Sequence, residues 1–435
     1  MFQRGRRTAR LTAGLSIVAA GALALSACSG SDSSSGSDAK SGPFKYLSFS
    51  ENTTIQDTLK TLASGQCADA NSKAELQVTT QPQASFDQQI QLLAGQGALP
   101  SIFPAGNSPS VAKELDRSSS LVDTGAELEA LGDSDDILPA AKSTIEKLYD
   151  GKDYVLPTEL NVEGIWYNKK LFADNGIEAP ATWGDLTADA AKLEAAGVQP
   201  FAADGKDGWP LTRLIGNYIY RSVGADALQA VADGKAKLTD QAYVDAAQAV
   251  ADLGAKGYFG KSVGSIDYTT AMNQFLTGKA GMYYMGSWAL ANFNDPKQNQ
   301  IGADNIGFVP FPTVSGGKGG SELAANVGVP LALSKKSYDS GSKAWLDCIA
   351  KNYGAAALKG SGTITGFKVN GDAGKVPALT KSVQEQIDSS TDTVLWFEAL
   401  FDPKATTTSQ TNAALLVNGK LSAADFMSKI QADLG

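Results

Sequence analysis

Along most of the chain, short runs of strand-like alternation give way to helical spacing. Phe44 to Ser50 alternates in strand fashion, and Glu51-Asn52-Thr53-Thr54 then turns into a helical stretch from Ile55 to Ala63. A strand at Leu76 to Thr79 is followed by Ser85-Phe86-Asp87-Gln88, a capping-box pattern, after which Phe86, Ile90 and Leu93 share one helical face before Gly95. The scheme repeats downstream, where Thr182 caps a helix whose buried stripe is Leu186, Ala190 and Leu193 and which Gly197 ends. Ile165 to Tyr167 before that helix and Gln199 to Ala202 after it read as strands. Such alternation predicts an α/β fold in layers, with ligand sites at the carboxyl ends of strands.

The N-terminus follows another pattern. Arg4, Arg6, Arg7 and Arg10 precede an apolar stretch from Leu11 to Leu25 that is short for a bilayer span and fits the h-region of a secretory signal. Leu25-Ser26-Ala27-Cys28 resembles a bacterial lipobox, which implies lipidation of Cys28 and cleavage before it; the alternative is a plain signal with an incidental cysteine. Residues 1–27 are then the signal peptide and 28–42 a lipidated Cys with a flexible Ser/Gly tether. Acyl chains on Cys28 would hold the protein on the outer face of the cell membrane.

Composition narrows the chemistry. About 390 residues follow the tether, enough for two domains. Removal of the four signal arginines takes the formal charge from -9 to -13, which argues against a nucleic-acid partner. After Cys28 only Cys67 and Cys348 remain, a pair that suits one disulfide but whose proximity the sequence leaves open. The chain has no histidine, so Ser-His-Asp and Cys-His nucleophile systems, His-based zinc sites and HExxH proteases are excluded. Gly316-Gly317-Lys318-Gly319-Gly320 and Gly371-Asp372-Ala373-Gly374-Lys375 do not complete a phosphate-binding loop and read as surface turns. No spacing singles out a glycosidase carboxylate pair, and neither a cofactor nor a metal is expected.

Several motifs together resemble one family. Val155-Leu156-Pro157, Trp166-Tyr167-Asn168-Lys169-Lys170-Leu171-Phe172 and Pro180-Ala181-Thr182-Trp183-Gly184-Asp185-Leu186 are similar to the P…YNK…LF…P-x-T-W-x-[DE]-L pattern of family 1 extracellular solute-binding proteins. The likeness continues through Gly281-Met282-Tyr283-Tyr284-Met285-Gly286-Ser287-Trp288-Ala289, Gly307 to Pro312, Val327 to Leu331 and the helix around Lys343 to Leu346. Leu99-Pro100-Ser101 departs from it, having Ser where relatives commonly carry Asp. The resemblance implies a two-lobed, periplasmic-binding-protein-like (Venus-flytrap) fold with three hinge crossovers. Lobe one is expected at 43–159 and 305–359, lobe two at 160–304 and 360–435, with Glu159, Leu160 and Asn161 in the hinge. Cys67 and Cys348 both fall in lobe one under this division, which permits a disulfide; two buried free thiols are the alternative.

The resemblance further implies a non-enzymatic, monomeric lipoprotein that captures a sugar, expected to be an oligosaccharide, and delivers it to the membrane permease of an ABC importer. Sugars present hydroxyls at the rim and an apolar C–H face, so planar polar groups and aromatic rings suit them. Trp209, Trp288 and Trp396 are the stacking candidates, whereas Trp183 and Trp345 are assigned to helix packing and Trp166 to a strand near the hinge. Glu51, Asn52, Thr53, Asn107, Glu159 and Asn161 are the polar candidates, and Arg213 a weaker one that pairs with an acid on its own helix in the plainer reading. The alternatives are the same fold with a polyol or glycerol phosphate, the acidic body weighing against an anionic ligand, and a surface glycoside hydrolase.

Overall fold

The computed structural model describes residues 41–50, 53–106 and 109–434. Among them run ten strands: β1 Phe44–Phe49, β2 Leu76–Gln81, β3 Ile102–Pro104, β4 Asn161–Asn168, β5 Gln199–Ala202, β6 Ala280–Gly286, β7 Ile306–Pro310, β8 Leu323–Asn326, β9 Leu331–Leu333 and β10 Thr393–Val394. They make a four-stranded sheet in the order β2-β1-β3-β9 and a six-stranded sheet in which β10-β8-β4-β6-β5 is the path and β7 pairs with β4. β1 runs parallel to β2 and β3, whereas β4 is antiparallel to β6, β7 and β8. The signal, Cys28 and the tether up to residue 40 lie outside the described residues; at the end of the expected tether, Ser41 Oγ accepts from the Gly341 N–H at 2.9 Å.

Burial explains the strand register. In β4 nearly every side chain is buried, and alternate residues serve different cores: Ile165 joins the one that packs beneath the helices of residues 183–255, and Trp166 the one that continues to the four-stranded sheet. The indole N–H of Trp166 donates to Met285 O at 2.8 Å, and that of Trp345, stacked on Phe44 at 5.0 Å, donates to Ala74 O at 2.8 Å. Each buried tryptophan thus satisfies its polar edge within the core.

The helix starts differ from one another in an instructive way. Thr182 forms a full capping box with Asp185: the Asp185 N–H donates to Thr182 Oγ1 at 3.0 Å and the Thr182 N–H to Asp185 Oδ2 at 2.9 Å. Ser85 does not cap the helix Phe86–Gly95. The preceding Pro82 starts a 3₁₀ turn, Gln83–Ser85, and the Ser85 hydroxyl is spent on it, accepting from Gln81 Nε2 at 2.8 Å and donating to Pro82 O at 3.3 Å.

The connections between the sheets lie side by side. Leu156 pairs with Leu331, Leu160 N–H donates to Ile364 O at 2.9 Å and Gly366 N–H to Pro157 O at 2.9 Å. The second crossover is not at residue 305 as expected. β7 and β8 both hydrogen-bond β4, so 305–326 stays with the six-stranded sheet and the chain crosses at Val327–Pro330. Cys67 and Cys348 form a disulfide, Cα atoms 5.7 Å apart, which ties the start of the helix Ala68–Lys73 to the long helix Ser340–Ser361. No helix among the described residues is long and apolar enough to cross a membrane.

Candidate ligand-binding cleft

Trp209, Trp288 and Trp396 come from three separate stretches and line one cavity of about 410 Å³. Each is half-buried. Trp209 opens the helix Trp209–Val223, and its place depends on Gly208, which takes φ +78° and lies so close to Gln410 O that a Cβ there would approach within 2.0 Å. Trp288 follows β6 in a short 3₁₀ turn and folds back across Gly286, where a Cβ would come within 1.9 Å of the indole. Trp396 stands just after β10. The ring centroids of Trp209 and Trp288 are 5.8 Å apart and tilted by 57°.

At the centre is Arg213, one turn along the helix from Trp209. Its Cζ lies 4.6 Å from the Trp209 ring, 5.8 Å from Trp288 and 5.7 Å from Trp396. Nη1 donates to Glu163 Oε1 at 2.5 Å. Glu163, buried on β4, also accepts from Tyr284 Oη at 2.8 Å and Asn326 Nδ2 at 3.3 Å, so its charge is fully engaged. The acid that pairs with Arg213 is therefore on a neighbouring strand, not on its own helix. A second buried acid, Glu398, accepts from the hydroxyls of Thr212 and Ser409. Burial pushes its carboxyl above the usual range, while the positive charge of Arg213 pulls it back.

Of the polar candidates, Thr53, Glu159 and Asn161 are among the described residues. Asn161 is buried at the start of β4, accepts from Ser287 Oγ at 3.3 Å and donates to Asn326 Oδ1 at 3.4 Å. Glu159 packs on Gly328, where a Cβ would come within 2.1 Å of Oε2; Gly328 lines the cavity, whereas Glu159 and Asn161 are not among its lining residues. Thr53 is exposed at the start of the helix Thr54–Ser64 and is not among the lining residues. Glu51, Asn52 and Asn107 lie outside the described residues. Sequence reasoning missed Glu163, Asn326 and Glu398 and undervalued Arg213. The available signal was an acid, Glu163, between the apolar Val162 and Ile165–Trp166 of one strand, since a buried charge demands a partner.

A larger cavity, about 760 Å³, has ionic walls, including Asp116, Asp123, Glu146 and Asp153 beside Lys142 and Lys152. It lacks indole faces, and among the described residues no group of three His, Cys, Asp or Glu side chains is placed to hold a metal ion.

A sequence model of the bacterial extracellular solute-binding protein family matches residues 52–356. An ABC transporter extracellular-binding protein of Pyrococcus horikoshii, itself uncharacterised, is 28% identical over 169 residues, 38% of each chain. A multiple sugar-binding protein of Streptococcus mutans is 30% identical over 190 residues, 42% of this chain and 43% of that one. The matches span about two fifths of these curated relatives. Among solved structures, a chitin oligosaccharide binding protein superposes with a TM-score of 0.69 at 26% identity, covering 91% of this chain and 98% of that one.

Proposed function

The chain belongs to the bacterial extracellular solute-binding protein family, and from that premise we propose that it captures a neutral sugar, an oligosaccharide, in the tryptophan-lined cleft and delivers it to an ABC-transporter permease. The observation that carries this reading is the convergence of three half-buried indoles from separate elements on one cavity, which offers more than one platform to the C–H faces of successive sugar rings. The sugar-related names of the relatives point the same way. Binding would bias an opening and closing of the two lobes about the three adjacent crossovers, and the permease would read the closed form. In this reading Cys28 carries the lipid anchor and the protein acts at the outer membrane face without catalysing a reaction.

The charge distribution disfavours an anionic ligand such as glycerol phosphate, because Arg213, the cation among the lining residues, is already matched by Glu163. It also disfavours hydrolysis, since neither Glu163 nor Glu398 lines the cavity. The test is a melting screen over glucose, galactose, maltotriose, xylotriose and chitotriose. A ligand at 100 times its Kd stabilises by about 2.7 kcal/mol, an easily read shift. No shift with any neutral sugar, or a shift only with glycerol phosphate, overturns the reading, and product formation detected by chromatography would convert it to a hydrolase.

A further inference from the structure

We propose that Arg213 is the positioning residue of the cleft: its guanidinium, clamped by Glu163, sets the mutual arrangement of Trp209, Trp288 and Trp396. The proposal rests on the reading of this cleft as a sugar site, and its test separates the two.

The three indoles belong to different elements, and Trp209 and Trp288 are tilted rather than stacked on one another. What they share is Arg213, whose Cζ lies within 6 Å of all three ring centroids. A guanidinium is flat, so it can present a face to an aromatic ring while its edge donates to a carboxylate. Both uses occur here: the edge donates to Glu163 Oε1, and the Trp209 ring stands 4.6 Å from Cζ. Glu163 in turn is fixed by Tyr284 on β6 and Asn326 at the end of β8. The sheet therefore positions the carboxylate, the carboxylate positions the guanidinium, and the guanidinium spaces the indoles. Both members of the ion pair are buried or nearly so, and the carboxylate makes no direct contact with the cavity, which suits a supporting role. An ammonium on a flexible stem would retain the charge and lose the plane.

The experiment uses the complete mature chain with Arg213→Met and Arg213→Lys, and two readouts. One is the near-UV circular dichroism and tryptophan emission of the unliganded protein; the other is affinity for whichever sugar of the five-member panel shifts the parent's melting most. The expected result is an altered indole spectrum in both variants with cooperative melting retained, and at least a tenfold loss of affinity for Arg213→Met that Lys does not restore. A native indole spectrum in either folded variant overturns the proposal, as does full recovery of affinity and spectrum in Arg213→Lys, which would make the charge alone sufficient. Failure of both variants to fold also overturns it, by making Arg213 a folding residue. If the parent binds no sugar, the sugar reading fails while the unliganded spectra still decide the role of Arg213.

Discussion

At the scale of single residues, the cleft tryptophans and the core tryptophans make opposite predictions. Trp288→Ala or Trp209→Ala removes a ring that is half-buried in the cleft, so sugar affinity should fall tenfold or more, roughly 1.4 kcal/mol, with a small change in the unliganded melting temperature. Trp345→Ala, in the core, should instead cost about 3 to 5 kcal/mol of stability. Calorimetric titration and melting of the three variants check this, and a large melting loss in the cleft variants with unchanged affinity contradicts the assignment. Asp204 gives a pH prediction. It is fully buried just beyond β5, and burial pushes its carboxyl up to about 7, with Asp207 and Asp267 adding to the rise. Tyr283, on the adjacent strand, Tyr268, and Lys206, paired with Asp267, also lie nearby. Because the folded form holds this proton more tightly than the unfolded chain, the associated stability is greatest below about pH 4 and is lost as pH rises to about 7. Asp204→Asn removes that loss, so the melting difference between variant and parent should move in favour of Asn from pH 5 to pH 8; a constant difference would refute it. Trp209 and Trp288, which line the cavity, were picked out in the sequence by the glycines shortly before them, Gly208 and Gly286. Arg213 was legible only as a weaker candidate, since its counter-charge is fifty positions away on β4.

Among the elements, local chemistry decided how much could be read in advance. The box at Thr182 follows from side chains three residues apart, whereas the identical-looking pattern at Ser85 is undone by Pro82, whose turn claims the serine. β7 and β8 show the opposite limit: their assignment to a sheet depends on pairing with a strand about 140 and about 160 residues earlier, respectively, which no local periodicity encodes. The disulfide belongs at this scale because it joins two helices. Cys67→Ala with Cys348→Ala should lower stability by about 2 to 5 kcal/mol, measured by denaturant titration, and leave sugar affinity within twofold, since neither cysteine lines the cleft. Two alkylatable thiols in the unfolded, unreduced parent would defeat this prediction.

For the whole molecule, the α/β layers were legible from repeated strand–helix alternation and the division into two lobes only through the family resemblance, whereas the position of the middle crossover was not legible, because it is fixed by long-range pairing at Asn326. In the proposed anchoring at Cys28, Cys28→Ala should leave the folded body intact and move the protein from the membrane fraction to the soluble fraction. Persistence of the variant on salt-washed membranes would refute the anchor. The cross-link between Cys67 and Cys348 has one more consequence at this scale. It closes the backbone into a ring of 281 residue steps that holds β2 to β9, so a peptide bond cut once within that ring releases nothing. In the proposed role, the protein could be nicked in a surface loop by extracellular proteases and still keep both sheets, and the cleft between them, on a single covalent body until the sulfur bridge itself is reduced.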